Sequence, residues 1–166
     1  NPNLEELYLE GKFTGAIPNL QKTKNLITID ISSPNITGTI PTLEKTPLLQ
    51  KIRVSGTQVN GVIPPLDLFA SLRYIDLSEN KLSGTIPDVT KHPRLESINL
   101  SSNNLTGPIP HFNQANLEEI ILNDNQFSGV IPAFSLSKLR TLWLHHNQLT
   151  GTIPDFKSCI KLNSID

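Results

Sequence analysis

The tetrapeptide Gly-x-Ile-Pro recurs seven times, at Gly15–Pro18, Gly38–Pro41, Gly61–Pro64, Gly84–Pro87, Gly107–Pro110, Gly129–Pro132 and Gly151–Pro154. The glycines are spaced 23, 23, 23, 23, 22 and 22 residues apart. A period this regular requires stacked repeats, each burying its apolar side against the next, and sets the architecture before local propensity is considered. Upstream of each glycine a second pattern repeats. Its cleanest copy places Leu72, Ile75, Leu77, Asn80 and Leu82 ahead of Gly84. The frame returns at Leu95, Ile98, Leu100, Asn103, Leu105, at Leu117, Ile120, Leu122, Asn125, Phe127, and at Leu139, Leu142, Leu144, Asn147, Leu149.

The two apolar residues that alternate with polar ones predict a short strand with one buried face. The Asn that follows offers both donor and acceptor to backbone groups left unpaired where the chain turns inward. Proline keeps the return path extended. The apolar residue after each proline, Leu20, Leu43, Leu66, Val89, Phe112, Phe134 and Phe156, is expected to fill the back of each coil.

These residues resemble the plant-type leucine-rich-repeat family, which includes receptor-kinase and receptor-like-protein ectodomains, polygalacturonase inhibitors and related secreted microbial repeat proteins. The match runs from about Leu4 to Pro154, with a partial eighth copy at Leu162 and Ile165. The resemblance implies a right-handed superhelical solenoid with a parallel β-sheet on its concave face and irregular or 3-10 return segments. It also implies an extracellular or cell-surface recognition module. The whole of residues 1–166 reads as one domain of seven repeats plus the partial eighth. No paired-cysteine caps are present, so an internal segment flanked by further repeats or domains is expected.

Net charge is −1, which gives no field to draw the chain to nucleic acid, and no apolar stretch is long enough to span a bilayer. The single cysteine, Cys159, falls at a back position held elsewhere by Thr23, Thr46, Phe69 and Leu136, so a small buried side chain is expected. Sequons occur at Asn35, Asn99 and Asn104. Asn99 lies within a strand, which leaves Asn35 and Asn104 as the acceptors in a eukaryotic host.

Outward strand positions are free of packing demands and carry the functional signal. One column reads Tyr8, Asp30, Arg53, Asp76, Asn99, Ile121, Trp143, and the column two residues earlier reads Glu6, Thr28, Lys51, Tyr74, Ser97, Glu119, Thr141. With strands about 4.8 Å apart, Ile121 and Trp143 adjoin on the exposed sheet, beside His145, Asn123 and Asp124. Tryptophan is enriched where partners bind, so this group is the first site candidate. Arg53, Tyr74 and Asp76, with Tyr8 at the head of the column, form a second. His145 and His146 are adjacent, and neighbours on an extended backbone point opposite ways, so no metal site is expected.

No nucleophile motif is present. Asp30 and Asp76, two strands and about 10 Å apart, exceed the spacing of an inverting glycosidase pair. The chain is therefore expected to be no enzyme and to need no cofactor. The leading reading is recognition of a protein, peptide or carbohydrate ligand on the concave sheet. A structural or adhesive spacer is the alternative. Ice or surface binding ranks third, through Thr14, Thr37, Asn60, Ser83, Thr106, Ser128 and Thr150.

Overall fold

A computed structural model describes residues 1–66 and 69–166. In chain order its strands are β1 (Glu6–Glu10), β2 (Thr14–Ala16), β3 (Thr28–Ser32), β4 (Asn35–Thr37), β5 (Lys51–Val54), β6 (Asn60–Val62), β7 (Tyr74–Asp76), β8 (Lys81–Gly84), β9 (Ser97–Asn99), β10 (Asn104–Gly107), β11 (Glu119–Ile121), β12 (Gln126–Val130), β13 (Thr141–Trp143), β14 (Gln148–Thr150) and β15 (Ser164–Ile165). The odd-numbered strands form one eight-stranded sheet in the order β1-β3-β5-β7-β9-β11-β13-β15. Every pairing is parallel, as a solenoid requires when each coil runs the same way. Among the described residues there is no helix.

The register places equivalent residues opposite one another. Leu7, Ile29, Ile52, Ile75, Ile98, Ile120 and Leu142 make one inward column. From Ile29 to Leu142 these side chains are at most 1% exposed. Removing such a side chain from water stabilises by about 1.5–3 kcal/mol. Leu20, Leu43, Leu66, Val89, Phe112 and Phe134 are buried at the back of the coils, as expected, and Phe156 is partly buried. Cys159 is buried there too.

The turn after each strand is held by the Asn ladder. Asn103 Nδ2 donates to Leu77 O (2.9 Å) in the preceding coil and to Leu100 O (3.1 Å) in its own, while its Oδ1 accepts the Leu82 N–H (2.9 Å). Asn125 and Asn147 repeat the arrangement. One side chain thus satisfies backbone groups of two coils, and the ladder ties the stack lengthwise. The residue before each of these Asn takes a left-handed backbone: Glu79 (φ 55°), Ser102 (φ 55°), Asp124 (φ 54°) and His146 (φ 53°).

The second and third coils improvise. Thr57 replaces Asn, donating to Asn80 Oδ1 and accepting from Val59 N–H at 3.2 Å. In the second coil Pro34 stands at the Asn position and cannot donate. The buried Ser33 hydroxyl takes over, within hydrogen-bond distance of Gly11 O (2.8 Å) and Phe13 O (2.9 Å).

The return segments are irregular, as expected, and hold isolated turns, such as Thr23 N–H to Leu20 O (3.1 Å) and Cys159 N–H to Phe156 O (2.8 Å), with no 3-10 helix among the described residues. One feature differs from expectation. The stretch around each repeat glycine also builds further parallel ladders, a five-stranded one in the order β14-β12-β10-β8-β6 and the pair β2-β4. These ladders explain the glycine. At Gly107 (φ 81°) a Cβ would lie 2.8 Å from Thr85 Cγ2, so the residue after the glycine of one coil roofs the glycine of the next. The same ladders are staggered by two residues per coil: Ala16 faces Thr37, Val62 faces Ser83 and Val130 faces Thr150. Thr14, Thr37, Asn60, Ser83, Thr106, Ser128 and Thr150 therefore do not lie directly opposite one another in these ladders.

Candidate functional site

The open face of the eight-stranded sheet carries the predicted columns in the predicted register, with Tyr8, Asp30, Arg53, Asp76, Asn99, Ile121 and Trp143 side by side. Two regions of this face differ in chemistry.

On β3, β5 and β7 the face is a closed ion network. Arg53 donates to Asp30 Oδ1 (3.0 Å) and to Asp76 Oδ2 (3.2 Å), and Lys51 Nζ donates to Asp30 Oδ2 (2.6 Å). Burial acts to raise the Asp30 pKa, but the hydrogen bonds and charges of Lys51 and Arg53 outweigh it and hold the carboxyl below the usual range. The Arg53 guanidinium is in turn held protonated, chiefly by its hydrogen bond to Asp30. The Arg53–Asp76 pair was legible from the sequence; the central role of Asp30 was not, although opposite charges one repeat apart were the signal for it. The second candidate group also divides. Tyr74 turns its hydroxyl to Glu96, which pairs with Arg73 (2.7 Å), and so stands apart from Arg53 and Asp76. Tyr8 is exposed on β1.

On β11 and β13 the face is apolar and incompletely paired. Ile121 lies directly opposite Trp143. The indole N–H of Trp143 donates to Ser164 Oγ (2.9 Å) on β15, and the ring remains 38% exposed. Below it, Asn123 Nδ2 donates to Asp124 Oδ2 (2.6 Å), and His146 Nδ1 lies 2.7 Å from Asp124 Oδ1. The hydrogen bond with His146, then that from Asn123, lowers the Asp124 pKa. His145 Nδ1 approaches Asp166 Oδ2 at 3.3 Å without hydrogen-bond geometry. Asn123 Oδ1 and His145 Nδ1 are both buried from solvent and make no hydrogen bond.

The expectation that His145 and His146 point apart does not hold. It assumed an extended backbone, whereas His146 is left-handed. The two imidazoles meet edge to face with centroids 5.0 Å apart, and Asp124, His145 and His146 each bring a donor atom within 4.8 Å of the others. Of the sequons, Asn35 and Asn104 are exposed, while Asn99 is half-buried with its Oδ1 accepting from Ser101.

Models of the Leucine Rich Repeat match residues 71–92 and 94–114, and a model of Leucine Rich repeats (2 copies) matches residues 115–158, together about half of the chain. The chain belongs to the leucine-rich-repeat family. Solved structures similar to this leucine-rich-repeat chain place it with the plant type. One is the plant peptide hormone receptor RGFR1 in complex with RGF2 (30% identity, TM-score 0.82, 98% of this chain and 32% of that one). Another is a TDR receptor (29%, TM-score 0.88, 99% and 30%). A third is the Arabidopsis receptor kinase HAESA in complex with the peptide hormone IDA and the co-receptor SERK1 (31%, TM-score 0.86, 90% and 27%). The chain spans about a third of the length of these receptors. No curated protein sequence matches it significantly.

Proposed function

We propose that this chain is a ligand-recognition segment of an extracellular or cell-surface protein, and that it binds an extended peptide on the open sheet face across β11 and β13. The observation that carries this reading is the Ile121–Trp143 pair on the open face, an exposed indole against a half-buried isoleucine. A large amphipathic ring at the centre of such a patch supplies contact area at little entropic cost. RGFR1 and HAESA, each seen in complex with a peptide, support the choice of peptide over glycan. The ion network around Arg53 is already satisfied internally and forms the flank of the surface.

The test is partner capture by the wild-type chain against Trp143→Ala and Ile121→Ser, both outward-facing changes that leave the inward columns untouched. The proposal expects capture to be lost with the melting transition retained. Unchanged capture by both variants overturns it and favours a spacer role.

A further inference from the structure

We propose that Asp124, His145 and His146 form a binding site for a divalent late first-row metal ion such as zinc. The site is built by backbone geometry. Asp124 and His146 occupy equivalent left-handed positions in successive coils, each just before a ladder Asn. Stacking brings equivalent positions together, and the His146 ring reaches Asp124 at 2.7 Å. The left-handed turn at His146 swings its ring to the side of its neighbour His145, so one coil contributes two imidazoles to the same place.

Three donor atoms within 4.8 Å of one another need only small side-chain rotations to reach the roughly 3.4 Å separation that metal–ligand bonds of about 2.0–2.1 Å produce in a tetrahedron. Two imidazoles with one carboxylate suit zinc, copper or nickel better than magnesium or calcium, which prefer oxygen alone. Two further observations point to a ligand here. His145 Nδ1 is buried without a hydrogen bond, the Asp166 carboxylate 3.3 Å away lying out of hydrogen-bond geometry, and such a state costs free energy. Asn123 Nδ2 holds the Asp124 carboxylate from behind, the role of an outer partner that orients a metal ligand. The site remains open on its outer side, since the His146 side chain is 76% exposed, which leaves room for water or a donor from a bound partner. The inference is independent of peptide binding, because the ion is measured on the chain alone.

The experiment is calorimetric titration of the tag-free chain with zinc chloride, with the visible absorption of added cobalt(II) as a report on coordination. The expected result is saturable binding of one ion per chain with an absorption band of low-coordinate cobalt. Asp124→Asn and His146→Asn retain the left-handed turn, since Asn tolerates it. Each is expected to weaken zinc binding by about tenfold or more, the lower end of what loss of even an outer partner costs. His111→Ala, a change to an exposed histidine elsewhere, is expected to bind as the wild type does. Circular dichroism melts matching the wild type establish that the variants are folded. Absence of one-to-one binding, or binding as tight as the wild type by Asp124→Asn and His146→Asn, overturns the proposal.

Discussion

The two ends of the open sheet face are built on the same backbone and differ in whether they finish their own chemistry. Around Arg53 every charge meets an opposite charge one coil away, so Asp30, Lys51, Arg53 and Asp76 close on themselves. Around Trp143 the column of Arg53 holds an isoleucine and the indole, with His145 and His146 in the turn that follows, and the buried Asn123 Oδ1 and His145 Nδ1 make no hydrogen bond. The turns show the opposite order. The coils under Trp143 keep the full Asn ladder, while the coils near Arg53 make do with Ser33, Pro34 and Thr57. The region with the most regular scaffold carries the least self-satisfied surface. A recognition surface needs its side chains held in place by something beneath them, and a regular ladder provides that.

Four sets of changes probe this comparison. The largest effect on stability is expected from Asn103→Ala, which orphans the Leu82 N–H and removes one of the two ladder bonds to each of the Leu77 and Leu100 carbonyls, which keep Asn80 and Asn125; it should cost about 3 kcal/mol in urea denaturation. Thr57→Ala removes a shorter set of bonds and should cost about 1 kcal/mol. Equal losses would break the distinction between the two halves of the ladder. Next is Gly107→Ala, where the positive φ combines with a Cβ placed 2.8 Å from Thr85, for about 2 kcal/mol. At Gly15 the φ is also positive but nothing lies within 4 Å, so Gly15→Ala should cost only about 1 kcal/mol.

The third change concerns acid. The Asp30 pKa is lowered from 3.8 in the folded chain, so its contribution to stability is present above the unfolded value and disappears as pH falls through the lower folded value. Carboxyl NMR should find Asp30 titrating below 3.8 in the wild type and higher in Arg53→Gln. An unmoved titration would show that Arg53 does not hold this network together. The smallest effect is expected from Arg140→Ala at the exposed pair with Glu118 (3.1 Å), within about 0.5 kcal/mol of wild type in thermal melts.

Much of the fold was legible because the repeat forces it. Steps of 23 and 22 residues that return Ile75, Ile98 and Ile120 to one column leave no choice of register, and the outward columns follow from strand alternation. What the sequence hid depended on backbone angles rather than residue order. The glycine-side ladders escaped notice because Gly61 and Val62 break the alternation that signals a strand. Their two-residue stagger, which sets Thr37 opposite Ala16 rather than Thr14, is invisible when repeats are simply aligned. His145 and His146 were placed back to back because their turn was read as extended, although Gly56 at the same repeat position hinted that the backbone there is left-handed. Ile121 and Trp143 could be found from sequence alone, since adjacency in a column needs only the period.

The most direct test of the account is to pan a displayed random-peptide library against the chain and measure the enriched peptides on two variants, Trp143→Ala and Arg53→Ala. The account predicts a loss of at least about 2 kcal/mol of binding for Trp143→Ala, as for an interface anchor, and less than about 1 kcal/mol for Arg53→Ala. Equal binding to Trp143→Ala and wild type, or a greater loss at Arg53, would contradict it.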